Sequence, residues 1–207
     1  MIFDITRPIH PGMALYPGNP EVIFERVQEA SATANALTKI TLGSHTGTHI
    51  DAPSHIATGA PGASSYTFEQ LIGEAQVIEL GITNQELRGG IITAADLPET
   101  SSKRILVKTK NSTGDPNVFD PNFVALDESA AQEFVERGVK LIGIDGPSIK
   151  KKGIPDRTHA ILLDANVVVL EGLWLADATA DSYELLCLPL AVDLDGSPVR
   201  AVLQKNQ

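Results

Sequence analysis

The sequence predicts a mixed α/β fold with a substantial sheet and few helices. Three observations support this: many apolar or β-branched runs of strand length, one stretch with clear helical periodicity, and turn residues between them. Residues 7–20 contain Pro8, Pro11, Gly12, Pro17, Gly18 and Pro20, which rules out regular helix and predicts an extended arm with turns. Residues 21–27 and 36–42 are strand candidates, the second alternating through Leu37, Ile40 and Leu42. From Gly43 to Pro61 the periodicity fails and polar residues crowd together, as in the irregular loops that carry function on rigid scaffolds. Residues 66–71 begin as a short helix with Thr67 as its cap, and residues 76–80 and 105–110 read as strands.

Residues 127–137 form the clearest helix. Asp127 caps it, Glu128 suits its positive end and Gly138 stops it. Ala131, Phe134 and Val135 make its buried stripe. Residues 139–144, 160–163, 167–170, 183–190 and 199–203 complete the predicted strands. No repeat, low-complexity tract or long linker interrupts the 207 residues, so one domain over 1–207 is expected.

Hydrophobic residues make up 43% and charged residues 20%, ordinary values for a globular chain. A formal net charge of -10 argues against a phosphate backbone as partner. The only basic run, Lys150, Lys151 and Lys152, lies in a loop-like stretch. Met1-Ile2-Phe3-Asp4 meets an acid at once, which is not the pattern of a signal peptide. The most apolar stretch, residues 160–175, is broken by Asp164, Asn166 and Glu171 and cannot span a bilayer. The single Cys187, among Leu185, Leu186 and Leu188, reads as a buried structural thiol. The expectation is a cytoplasmic protein with a small-molecule substrate and neither nucleic acid nor membrane as partner.

Residues 43–56 read Gly-Ser-His-Thr-Gly-Thr-His-Ile-Asp-Ala-Pro-Ser-His-Ile, with three of the five histidines within eleven residues. Imidazole and carboxylate are standard ligands for zinc-like divalent cations, so the composition alone suggests a metal. A straight strand would separate the Cα atoms of His45 and His49 by about 13 Å, too far to share one ion comfortably. Two glycines, two threonines and Pro53 make a poor helix, so the chain must bend, and Gly47 allows that at little cost. Asp51 has two oxygens and could bridge two cations. The bland reading, hydrogen-bonding loop residues, suits one histidine better than it suits His-x3-His-x-Asp-x3-His. The spacing is neither the His-Glu-x-x-His of zinc proteases nor a serine-hydrolase elbow, and no Gly-rich phosphate loop is present.

His45-Thr46-Gly47-Thr48-His49-Ile50-Asp51-Ala52-Pro53-Ser54-His55 resembles the signature of the cyclase family, which includes bacterial-type kynurenine formamidase. The likeness continues in Tyr16-Pro17-Gly18, Gly143-Ile144-Asp145-Gly146-Pro147-Ser148, His159, Glu171-Gly172-Leu173, Tyr183-Glu184-Leu185 and Pro198-Val199-Arg200-Ala201-Val202-Leu203. The resemblance implies a swivelling β/β/α cyclase-like domain, usually a homodimer. It also implies that His45, His49 and Asp51 hold a first metal, that Asp51 bridges to a second, that His159 binds the second and that Glu171 touches both. His55 would be the acid/base residue and Tyr16 would stand in the substrate pocket. One or two divalent cations per chain are implied, zinc first and manganese as the alternative.

Read from the residues alone, Glu171 interrupts an apolar run and would be costly to bury unpaired; a metal, a salt bridge or an exposed strand end would each resolve that. His159 alone is a satisfied core or edge histidine that opens a strand, and Asp145 is a turn-capping carboxylate. The chain departs from the formamidase branch at Tyr16, where Trp is common, and after Ser148, where Ile-Lys-Lys-Lys replaces an Asp-Pro pair. The expected activity is hydrolysis of an aryl formamide, N-formylkynurenine first. The alternatives are opening of a cyclic amide or imide, as in isatin-hydrolase-like relatives, or a non-catalytic metal- or small-molecule-binding protein.

Overall fold

The computed structural model describes residues 1–80, 88–151, 153 and 155–205; Lys152 of the basic run lies outside the described residues. Twelve strands and three α-helices are present among the described residues. The chain starts with β1 (Ile2–Asp4), then the irregular arm, then an antiparallel hairpin of β2 (Ile23–Gln28) and β3 (Leu37–Thr41). The segment expected to bend follows, and it delivers a short strand, β4 (His49–Asp51). Next come α1 (Phe68–Leu71), capped by Thr67 and Gln70 in a reciprocal box, and β5 (Ile72–Glu79). A two-residue pair, β6 (Ile91–Ile92) and β8 (Ala125–Leu126), brackets β7 (Arg104–Lys108) in sequence. The helix α2 (Glu128–Glu136) leads to β9 (Leu141–Ile144), and α3 (Thr158–Asp164) leads to β10 (Val168–Glu171). The long strands β11 (Ser182–Pro189) and β12 (Gly196–Gln204) finish the chain.

Seven strands follow one another in the order β12, β11, β5, β7, β9, β10 and β4, and β4 pairs back onto β12, so the sheet closes; β1 adds to β12 outside that circuit. The run β5, β7, β9 and β10 is parallel, while β4, β11 and β12 are antiparallel to their neighbours. Parallel neighbours need long crossovers, and α2 and α3 lie in the last two. Strand alternation then divides the core in two. Leu106, Leu141, Val168, Leu170, Leu185 and Leu203 point into the closed sheet. Ile105, Val107, Ile142 and Val169 point outwards, against Ala131 and Phe134 of α2 and Leu162 and Leu163 of α3. Cys187 is buried inside the sheet, and burial pushes its thiol up to about 12, as fits an unreactive structural role.

Most sequence-predicted strands and α2 appear within a few residues of their expected ends. Residues 160–163 do not form a strand: they lie in α3, and His159 sits in that helix's first turn instead of opening a strand. A four-residue apolar run has no decisive period. Here Leu162 and Leu163 pack against α2 and β10 as neighbours on one helical face, and Asn166, at φ 57°, ends the turn. Val135 is only half-buried, and Ala130 takes its place beside Ala131 and Phe134. Among the described residues no helix is long and apolar enough to cross a membrane.

Gly47 has φ +65°, the bend that the sequence required, and Gly172, at φ +67°, sits against it. A Cβ on Gly172 would press into the Gly47 carbonyl, so the loop after β10 can approach the loop before β4 only without a side chain there. Gly172→Ala adds left-handed strain to overpacking against backbone and is expected to destabilise the protein by about 2–4 kcal/mol. Chemical denaturation of the two proteins measures this directly; an unchanged midpoint would contradict it.

Candidate metal centre

Register explains how the polar residues meet. In β4, Ile50 points into the closed sheet, so His49 and Asp51 point to the outer face. Its partner β10 sets Glu171 opposite His49. On the other side β12 sets Gly196 opposite Asp51, and this glycine leaves the space that the His45 ring fills; a Cβ there would lie 2.6 Å from His45 Cε1. The first turn of α3 supplies His159, and the 3-10 turn Pro53–His55 supplies His55.

The distances are short. His45 Nδ1 lies 2.7 Å from Asp51 Oδ1, and His159 Nε2 lies 3.2 Å from Asp51 Oδ2 and 3.1 Å from Glu171 Oε1. His49 Nε2 lies 3.6 Å from Asp51 Oδ1 and 3.5 Å from Glu171 Oε2. Asp51 is 1% exposed, and its contacts with the rings lack hydrogen-bond geometry: both of its oxygens and His49 Nε2 are buried without a hydrogen-bond partner among the described residues. His49 uses its other nitrogen, Nδ1, to donate to the Gly47 carbonyl at 2.9 Å, which turns the Nε2 lone pair towards the carboxylates. Glu171 is anchored by the Ile149 amide and the Ser148 hydroxyl, both donating to Oε1. Its burial excludes the exposed strand end that the sequence left open.

Electrostatics describe a centre short of positive charge. Burial alone would raise the pKa of Asp51, but His159 and His45, aided by the charge of His49, hold it well below the usual carboxylate range. Burial lowers His45 and His159, yet the carboxylates outweigh it and bring them up to about 9 and about 10. Among the described residues, protonated rings are thus the source of positive charge for the two buried carboxylates, a role that a divalent cation could fill. Ligand atoms of His49, Asp51 and Glu171 lie within 4.8 Å of one another, and so do those of His45, Asp51 and His55. Oxygen and imidazole donors, orphaned and converging, fit zinc-like ions.

His55 stands at the rim, its ring 4.3 Å from that of His45 and 5.5 Å from that of His159. Burial, together with these neighbours, pushes its pKa below the ordinary imidazole value. Tyr16 lies where two cavities meet. One, of about 270 Å³, runs from His45 and His49 past Tyr16 and Phe119; the other, of about 430 Å³, runs from His55 and His159 past Asn19. All seven site residues named from the sequence are therefore gathered in one region, Tyr16 on its wall.

Sequence reasoning missed Asp195. Its Oδ2 accepts from His45 Nε2 at 3.0 Å and lies 3.9 Å from His55 Nδ1. Asp195-Gly196 reads as an ordinary turn pair between two strands, so nothing local links it to a histidine 150 positions away. Asp145 caps a turn, but not the one that follows it at Gly146-Pro147: its carboxylate accepts from Thr109, Asn111 and Ser112 and so fixes the turn at residues 110–113.

The closed mixed sheet with a buried histidine–carboxylate cluster on its outer face defines a candidate metal centre beside a partly apolar cleft. Residues 3–151 match the family described as "Putative cyclase", and the chain belongs to that Cyclase family. It is 32% identical over 208 residues to a kynurenine formamidase of Salinibacter ruber, covering 98% of this chain and 97% of that one. A solved structure described as a "potential metal-dependent hydrolase with cyclase activity" superposes with a TM-score of 0.86 at 29% identity, covering 100% of this chain and 99% of that one. An isatin hydrolase A from Labrenzia aggregata, at 19% identity and a TM-score of 0.83, shares the fold over 98% of this chain and 93% of its own.

Asp195→Ala should leave the fold intact, because its side chain is 46% exposed. It removes the acceptor that orients His45 and is expected to weaken divalent-metal binding about 10–100-fold, the usual effect of losing such a partner. Competition against a chromophoric chelator measures it; unchanged affinity would show that Asp195 is a bystander.

Proposed function

We propose that the protein is a metal-dependent hydrolase that cleaves the C–N bond of an aryl formamide, with N-formylkynurenine as the first substrate to test. One observation carries this reading: His49 Nε2 and both Asp51 oxygens are buried and unpartnered, and they converge at an open cleft with a further imidazole at its rim. The 32% identity to a kynurenine formamidase supports the substrate class.

His45, His49 and Asp51 would hold a first cation, and Asp51, His159 and Glu171 would hold a second, with Glu171 serving both. Zinc suits this donor set, and manganese is the alternative. A divalent cation held there would supply a lowered pKa for water and polarise a carbonyl. His55, neutral near pH 7 because its pKa is lowered, can take a proton as water adds to the formyl carbon. It then returns that proton to the aryl amine as the C–N bond breaks, leaving amine and formate. Asp195 orients His45, and Tyr16 with its aromatic neighbours holds the ring. Opening of a cyclic amide, as in the structurally similar isatin hydrolase, needs the same proton movements, so isatin and cyclic imides belong in the assay.

Metal-analysed protein is expected to carry one or two divalent ions per chain and to hydrolyse N-formylkynurenine. Less than a tenth of an equivalent of metal, with no gain in activity or melting temperature on adding zinc or manganese, would overturn the metal reading. His55→Ala should keep its metal and lose about two to four orders of magnitude in turnover. Stoichiometric metal loss would make His55 a ligand, and near-normal turnover would remove it from the mechanism.

A homodimer is part of the same proposal. The β2–β3 hairpin leaves Ile23, Phe24, Val27, Leu37 and Ile40 exposed, an apolar ribbon suited to a second copy of the chain. Light scattering should report two chains for the native protein and one for Phe24→Glu combined with Ile40→Glu; a native monomer would contradict this.

A further inference from the structure

We propose that Lys110 is the anion-binding group of the smaller cavity, selecting aryl amides that carry a carboxylate; this rests on the formamidase reading. The cavity of about 270 Å³ extends from His45 and His49 to Lys110 at the turn that Asp145 fixes. Its middle is aromatic. Tyr16 meets Phe119 edge-on at 5.7 Å and Phe123 at 6.5 Å, and the two phenylalanines meet at 6.1 Å. A planar ring fits among such faces and edges.

Lys110 is unusual for a lysine. Its side chain is only 15% exposed, yet its ammonium donates no hydrogen bond among the described residues. Its one ion partner there is Asp120, whose Oδ2 lies 3.9 Å away, beyond hydrogen-bond range, while Asp120 itself is mostly exposed. An ammonium on the cavity wall that no protein acceptor engages by hydrogen bond among the described residues is available to a ligand carboxylate. The other cation that lines this cavity, Arg7, has both terminal nitrogens engaged by backbone carbonyls and only its Nε without a partner among the described residues. Arg7 donates to the Asp145 and Pro116 carbonyls and lies over the Trp174 ring at 5.0 Å. Lys151 donates to the Phe123 carbonyl and lies over that ring, adding positive charge behind the aromatic wall.

Asp115 and Asp120 line the same end, so a ligand ammonium next to the carboxylate would also find a partner. The site therefore suits an aryl amide with an amino-acid side chain: reacting carbonyl at the histidine cluster, ring among Tyr16, Phe119 and Phe123, charged end at Lys110.

The test is steady-state kinetics of the metal-loaded protein on N-formylkynurenine and on formanilide, which has the same reacting bond but no charge. In Lys110→Met the ratio of kcat/KM for the charged over the neutral substrate is expected to fall about 10–100-fold, through KM, as for loss of a charge-assisted hydrogen bond. Lys110→Arg should recover most of it. An unchanged ratio in Lys110→Met overturns the proposal. If the wild type hydrolyses neither compound, the formamidase reading fails by itself, and Lys110 is judged by calorimetry with 4-oxo-4-phenylbutanoate against butyrophenone. Wild type should then bind the acid more tightly than the ketone, and Lys110→Met should lose that preference; equal affinity of both proteins for the acid would overturn the assignment. Lys110→Gln provides a second variant should Lys110→Met fold poorly.

Discussion

Two buried carboxylates, Asp51 and Glu171, sit on adjacent strands facing the same small volume. Asp51 is 1% exposed and Glu171 is 5% exposed at its side chain. Neither could stay ionised there alone, because desolvation and mutual repulsion both favour the neutral acids. Four imidazoles converge on them, and His49 and His159 each approach both carboxylates. The arrangement makes sense as a cation site first and a fold element second. An apolar pair would serve stability better.

The scaffold supports that charge cluster by covalent and register constraints and needs little adaptable packing. Closure of the sheet through β4 places the three-residue strand between β10 and β12, so both neighbours hold its backbone. Alternation directs Ile50 inwards and His49 and Asp51 outwards without any side-chain choice. Gly172 and Gly196 then admit what surrounds them: one lets two loops touch, the other lets His45 lie over the sheet beside Asp51. Asp195 holds His45 from the far side through Nε2, which leaves Nδ1 facing Asp51 Oδ1 at 2.7 Å.

Chemistry and selectivity occupy opposite ends of one cleft. The histidine end is crowded and largely buried, and its donor atoms converge on one small volume. The Lys110 end sits on a turn tied down by Asp145, whose carboxylate is fully buried and accepts four hydrogen bonds from residues 109–112. A rigid turn can present a charged side chain without a hydrogen bond of its own because the backbone beneath it is already satisfied. Tyr16, reached through the proline-rich arm, joins the two ends.

The sequence alone determined the mixed α/β class, the capped helix α2, the bend at Gly47 and the metal-type composition of residues 45–55. These are local facts: caps, glycine and ligand density are visible within a few residues. The motif order also pointed to His159, Glu171 and Tyr16 through family resemblance. Only the tertiary structure decided that residues 160–163 are helical, since a short apolar run has no period of its own and packing against α2 chose one for it. Strand pairing brought Asp195 and Gly196 to His45, and the fold of a separate turn brought Lys110 to the same cleft. Contacts between residues so far apart in sequence depend on register and closure of the sheet, which no local pattern encodes.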